Sequence, residues 1–160
     1  LTELEIRPAD IILVRGTGFT DHLIERVTHS AYSHATGLVK TNELLEAQAL
    51  RRTGYQGIDA YQGCSDVFTC DQLSDAQRQR IINHVSAHIG EQYGYALIPW
   101  EGVHYLLHVD IPIDEHVNND CSTLWASAYR AEGFDPCPDI EYPTPGDLGN
   151  SALFRKVGSF

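Results

Sequence analysis

The chain has 160 residues, of which 42% are hydrophobic and 21% charged, enough for one domain with a core and too few for two. A formal net charge of −11 with only 11 scattered Lys and Arg argues against nucleic acid, whose phosphates need clustered cations. It also disfavours anionic membranes and leaves neutral or cationic substrates open. No run approaches the roughly 18 apolar residues of a spanning helix, and no signal-peptide pattern is present in the chain; compartment and oligomeric state stay open.

Asp10 to Arg15, with the apolar run Ile11-Ile12-Leu13-Val14 closed by Gly16 and Gly18, reads as a buried strand. Thr20 or Asp21 then caps a short helix to about Thr28. His34 to Lys40 and Glu43 to Leu50 read as strands of a hairpin turned at Thr41-Asn42. Ser65 to Thr69 gives another strand. Ser74 with Gln77 forms a capping box that opens a helix to about Ile89, with Ile81, Ile82, Val85 and Ile89 on its apolar face. A helical stretch over Ala96 to His108 is interrupted by Pro99. Cys121 to Ala131 is the last helix, capped by Asn119 or Asp120 and stopped at Gly133. Pro143-Thr144-Pro145-Gly146 leads to a final strand, Leu153 to Val157. This order predicts a single α+β domain over residues 1–160.

Four cysteines allow two disulfides, but Cys64 and Cys70 flank the expected strand Ser65 to Thr69. At about 3.3 Å per residue their Cα atoms would lie roughly 20 Å apart, beyond bridging range. Cys137, between Pro136 and Pro138, is left either paired or free.

A thiol at a helix N-terminus faces unpaired backbone N–H groups, which favour its thiolate form. Cys121 opens a helix whose Leu124, Trp125 and Ala128 face inward, so its sulfur projects toward the sheet. A small buried residue is the plainer reading. A cysteine hydrolase also needs a base and a group that orients the base. His34 opens a strand with small neighbours on either side. Glu46 lies in an otherwise apolar stretch on the next strand, where a carboxylate wants a partner. Taken singly, His34 also fits a histidine bonded to a backbone carbonyl, and Glu46 a solvent-facing strand residue.

The segments Asp10-Ile11-Ile12-Leu13-Val14, Ser33-His34-Ala35 to Gly37-Leu38-Val39, Leu45-Glu46-Ala47, Cys121-Ser122-Thr123-Leu124 and Pro145-Gly146-Asp147-Leu148 resemble the circularly permuted NlpC-type papain-like hydrolases. That group includes YiiX-like bacterial proteins and, more distantly, lecithin:retinol acyltransferase. The resemblance runs from about Asp10 to Val157. It implies a permuted papain-like fold, an antiparallel sheet packed against helices, in which the histidine strand precedes the cysteine helix. It assigns Cys121 as nucleophile, His34 as general base and Glu46 as orienting carboxylate, with Tyr93 as a substrate contact, and it implies no cofactor or metal. Gly94 stands where an Asp is common, and Thr123 where a Glu is. The implied activity is cleavage of an amide bond, in a peptide or a peptidoglycan fragment, through a thioacyl-enzyme. An acyl-lipid ester hydrolase or acyltransferase would use the same three residues.

Two other classes of function compete. His84 with His88, and His104 with His108 near Glu101, are each four apart and can share a helical face as zinc ligands of a metal-dependent hydrolase, although no HExxH pattern occurs. A catalytically inactive binding domain on the same fold is the other.

Overall fold

A computed structural model describes residues 4–16, 30–46, 53–90 and 121–160. The helix expected over 20–28, the end of the second hairpin strand over 47–50, the helical stretch over 96–108, the caps Asn119 and Asp120, and Tyr93 lie outside them.

The described residues form one six-stranded antiparallel sheet. Its strands are β1 (Ile11–Val14), β2 (His34–Lys40), β3 (Glu43–Glu46), β4 (Gly54–Gly57), β5 (Ser65–Thr69) and β6 (Arg155–Ser159). Their spatial order is β4-β3-β2-β1-β5-β6. The hairpin β2–β3 turns at Thr41-Asn42, with Asn42 at φ 60, a left-handed conformation that Asn tolerates. After β4 a short 3-10 helix, Ile58–Tyr61, returns the chain to the far side of β1, where β5 pairs. β1 thus lies between β2 and β5, which explains why all four of its residues are buried.

Alternation along the strands sends side chains to two faces. Ile11, Leu13, Ala35, Val39, Leu45 and Phe68 join the larger core cluster with helices α1 (Asp75–Ser86) and α2 (Cys121–Ala131). Ile12, Leu38, Leu44 and Val67 face the other way, under Leu4, Ile6, Ile58, Tyr61, Val157 and Phe160.

Helix α1 begins with the expected capping box. Ser74 Oγ accepts from Gln77 N–H, and the Gln77 side chain accepts from Ser74 N–H. It ends at Ser86 rather than near Ile89, and Ile89 is 44% exposed; the buried face is Ile81, Ile82 and Val85. A buried ion pair pins α1 to the sheet. The Arg78 guanidinium donates to Asp10 Oδ1 and Pro8 O through Nη1 and to Cys70 O through Nη2, each at 2.8 Å. Thr69 Oγ1 donates to the same Asp10 oxygen at 2.6 Å.

Helix α2 matches its expected span, and the chain reverses at Gly133 with φ 84. Trp125 locks it to the sheet: the indole N–H donates to Leu45 O at 3.0 Å. A Cβ on Gly37 would lie 2.4 Å from the Trp125 ring, so only glycine admits the indole this close.

Four other elements differ from the sequence expectation. Thr144 and Asp147 form a capping box for a short helix, α3 (Pro145–Gly149), with Pro at its first turn, where only a lead-in to the final strand was expected. The Gly146 Cα approaches Ser30 so closely that an added Cβ would clash at 2.4 Å, so this Pro-Gly-Asp-Leu segment has a packing role. The final strand is Arg155–Ser159, two residues later than expected. Strand β4 and the 3-10 helix were not foreseen. All four cysteines are free, in line with the strand between Cys64 and Cys70.

Candidate active site

Cys121 and His34 reach one another from opposite faces of the sheet. Helix α2 lies over the face that carries Ala35 and Leu45. His34 shares its strand parity with Leu38, and Glu46 shares that of Leu44, so both project toward the other face. The meeting point is set by backbone. Ala35 N–H donates to Cys121 Sγ at 3.4 Å, and since strand N–H groups lie in the plane of a sheet, the sulfur stands level with that plane. Cys121 is 3% exposed.

His34 Nε2 is 3.0 Å from Glu46 Oε2, and the imidazole lies close enough to the Cys121 sulfur to feel its charge. Extending the register Gly37↔Leu45 by one residue puts Glu46 opposite Thr36, diagonal to His34 on the same face. Glu46 is 1% exposed, so the solvent-facing alternative for it does not hold. Tyr61 O–H also donates to Oε2, at 2.8 Å. The Tyr61 ring lies against the imidazole with centroids 5.9 Å apart.

Burial alone would lower the His34 pKa. The negative charge of Cys121 and the hydrogen bond to it, followed by the bond to Glu46 and its charge, outweigh burial and raise the pKa to about 10. At neutral pH this favours an imidazolium paired with the Glu46 carboxylate beside the Cys121 sulfur. Such an arrangement supplies a nucleophilic sulfur with a proton donor beside it.

The structure brings together Cys121, His34 and Glu46, the three residues expected from sequence; Tyr93 lies outside the described residues. Tyr61 is the member that sequence reasoning missed. Its place depends on a turn with Gly63 at φ 83 and on β4 pairing, and neither has a periodic signature.

The zinc alternative is partly visible. His84 and His88 do share a face of α1, with ring centroids 5.3 Å apart. His84 Nε2 is 3.3 Å from Ser127 Oγ, and His88 Nδ1 is 2.9 Å from His84 O. Among the described residues no group of three or more His, Cys, Asp or Glu side chains is placed to hold a metal ion; His104, His108 and Glu101 lie outside them. No described helix is long and apolar enough to cross a membrane.

An α+β fold with a six-stranded antiparallel sheet and helices on one face is the class these elements define. The same fold occurs in the metalloprotein yiiX of Escherichia coli O157:H7, a DUF1105 protein. The two share a TM-score of 0.58 at 18% identity, over 97% of this chain and 98% of that one. No protein-family model and no curated protein matches the sequence.

Proposed function

We propose that this chain is a cysteine hydrolase with a circularly permuted papain-like (NlpC-type) arrangement, Cys121 acting as nucleophile, His34 as acid and base, and Glu46 as the group that orients His34. What carries the reading is His34 held between a buried sulfur and a buried carboxylate contributed by distant parts of the chain. A histidine that serves packing alone has no need of both partners.

The reaction follows from that order. The Cys121 thiolate attacks the substrate carbonyl carbon, forming a C–S bond and a tetrahedral oxyanion. Collapse of the oxyanion breaks the bond to the leaving amine, which takes its proton from His34. Neutral His34 then removes a proton from water, which attacks the thioester and releases the acid together with the thiolate. The Cys121 backbone N–H is one donor to the oxyanion; Tyr93 is a candidate substrate contact on the resemblance alone. The bond is an amide in a peptide or peptidoglycan fragment, with an acyl-lipid ester as the second substrate for the same three residues.

The description of yiiX as a metalloprotein is the observation that favours a metal-dependent reading. The described residues of this chain do not fit it, since they gather no three-ligand set, and no step above requires a metal. A panel of a peptide amide, a muropeptide and an acyl-lipid ester, assayed with and without EDTA and iodoacetamide, tests the proposal. Turnover abolished by iodoacetamide and by Cys121→Ser, and indifferent to EDTA, is expected. Sensitivity to EDTA with resistance to iodoacetamide would overturn it. Absence of turnover on every substrate, with Cys121 inert to acylation, would favour a binding domain.

A further inference from the structure

We infer that Tyr61 is a positioning residue of this reaction, fixing the Glu46 carboxylate in the orientation that aims His34 at Cys121; the inference rests on the cysteine-hydrolase reading. The two bonds converge on a single oxygen: Glu46 Oε2 accepts from Tyr61 O–H at 2.8 Å and lies 3.0 Å from His34 Nε2. The terminal torsion of glutamate is broad, and each donor on that oxygen narrows it, so the Tyr61 hydroxyl limits how far the carboxylate can swing and carry the ring with it. The Tyr61 ring, tilted 45° against the imidazole, also walls the side on which His34 would otherwise rotate.

Tyr61 is itself held by main chain. Its carbonyl accepts from Cys64 N–H at 3.2 Å and from Ser65 Oγ at 2.9 Å, and the intervening turn is tied down where Gly63 N–H donates to Phe160 O at 2.8 Å. Ser65 pairs with Val14, and Val14 with His34. The support of the tyrosine and the strand position of the histidine therefore belong to one row across β5, β1 and β2. A side chain anchored in the same row as the group it orients keeps its distance when the sheet flexes.

A double-mutant cycle separates orientation from packing. Tyr61→Phe keeps the ring and removes the hydroxyl. Acylation by 4-nitrophenyl acetate is followed in the wild type, Tyr61→Phe, Glu46→Ala and the double variant, each checked for folding by its melting temperature. Tyr61→Phe is expected to lower the maximal acylation rate about tenfold, the size of one lost hydrogen bond to a charged group, with half-saturation changed less than about twofold. In the Glu46→Ala background the same change is expected to cost less than about twofold, because there is no carboxylate left to hold. An equal loss in both backgrounds, or no loss in either, would overturn the inference. Glu46→Met, of similar length but with no oxygen to accept from Tyr61, replaces Glu46→Ala if the alanine variant does not fold. A wild type that is not acylated at all would instead sink the hydrolase reading, and this role with it. Acylation of the wild type with additive losses sinks only the role of Tyr61.

Discussion

The backbone N–H of Ala35 donates to the sulfur of Cys121, a residue 86 positions later in the chain, at 3.4 Å. That bond fixes the height of the sulfur relative to the sheet, and with it the distance to the neighbouring imidazole. The sulfur is thus held against the strand that carries His34. Trp125, one helical turn along from Cys121, adds a second tie through Leu45 O, the residue before Glu46. The three chemical groups are therefore coupled through two strands and one helix.

Cys121→Ser and His34→Ala are each expected to lower acyl turnover by about 10³-fold or more, because each removes a group that forms or breaks bonds in the proposed reaction. Glu46→Gln keeps the shape of the side chain and its bond with the ring, and is expected to cost a smaller factor, about 10- to 100-fold. Steady-state kinetics on the three variants checks the ranking. Full turnover by Cys121→Ser would remove the thiol from the mechanism.

The raised His34 pKa predicts a dependence of stability on pH. The folded value of about 10 exceeds the ordinary 6.5, so through that interval the folded protein binds more protons than the unfolded chain and stability falls as pH rises. The stabilisation is fully present below about pH 6.5 and is lost as pH passes through about 10. Melting temperatures of wild type and His34→Gln across this range should converge at the alkaline end. In the proposed reaction the same deprotonation removes the acid for the leaving amine, so amide turnover should also decline there.

Gly37→Ala places a methyl group 2.4 Å from the Trp125 ring and forces the indole or the helix to move. A loss of about 1–3 kcal/mol is expected from the overpacking. Acylation of Cys121 should slow as well, since the helix that shifts carries the proposed nucleophile. Chemical denaturation and single-turnover acylation of the same variant test both halves.

Asp10→Ala leaves the Arg78 guanidinium, 3% exposed, without its carboxylate. Removal of one partner from a buried ion pair costs about 3–5 kcal/mol, the largest single loss expected away from the candidate site. Urea unfolding measures it directly.

Cys137 gives an internal contrast to Cys121. Burial first, then the charge of Asp147, pushes its thiol up to about 11. It should react sluggishly with iodoacetamide at pH 7 in the folded protein, and peptide mapping of the alkylated cysteines should find Cys121 labelled well ahead of it.

Much of the site was legible because its residues announce themselves locally. A glutamate in the run Leu44-Leu45-Glu46-Ala47 is anomalous in a buried strand, and a cysteine ahead of Leu124, Trp125 and Ala128 is placed by helical spacing. The capping box Ser74-Gln77 and the apolar run of β1 were equally plain. Strand β4, Gly-Tyr-Gln-Gly, was not, because glycine and glutamine carry no strand preference and its pairing comes from the register Glu46↔Gly54. Tyr61 could be placed only once that edge strand and the following turn were known. The last strand was expected two residues early because Leu153 and Phe154 are apolar. They pack on the core from the approach to the strand, and the strand itself is more polar. Helix α1 was expected to run to Ile89 on periodicity, yet the chain turns after Ser86 and Gly90, at φ 88, bonds to Thr53 O. Tertiary contacts beyond the local window decided each of these.

The most direct test is to expose the protein briefly to 4-nitrophenyl acetate at neutral pH, quench with acid, and locate any added acetyl group by peptide mass mapping. An acetyl group on Cys121 that forms in the wild type, and fails to form in His34→Ala, is the predicted result. Acetylation spread over lysines and other cysteines, with Cys121 unmodified, would contradict the account.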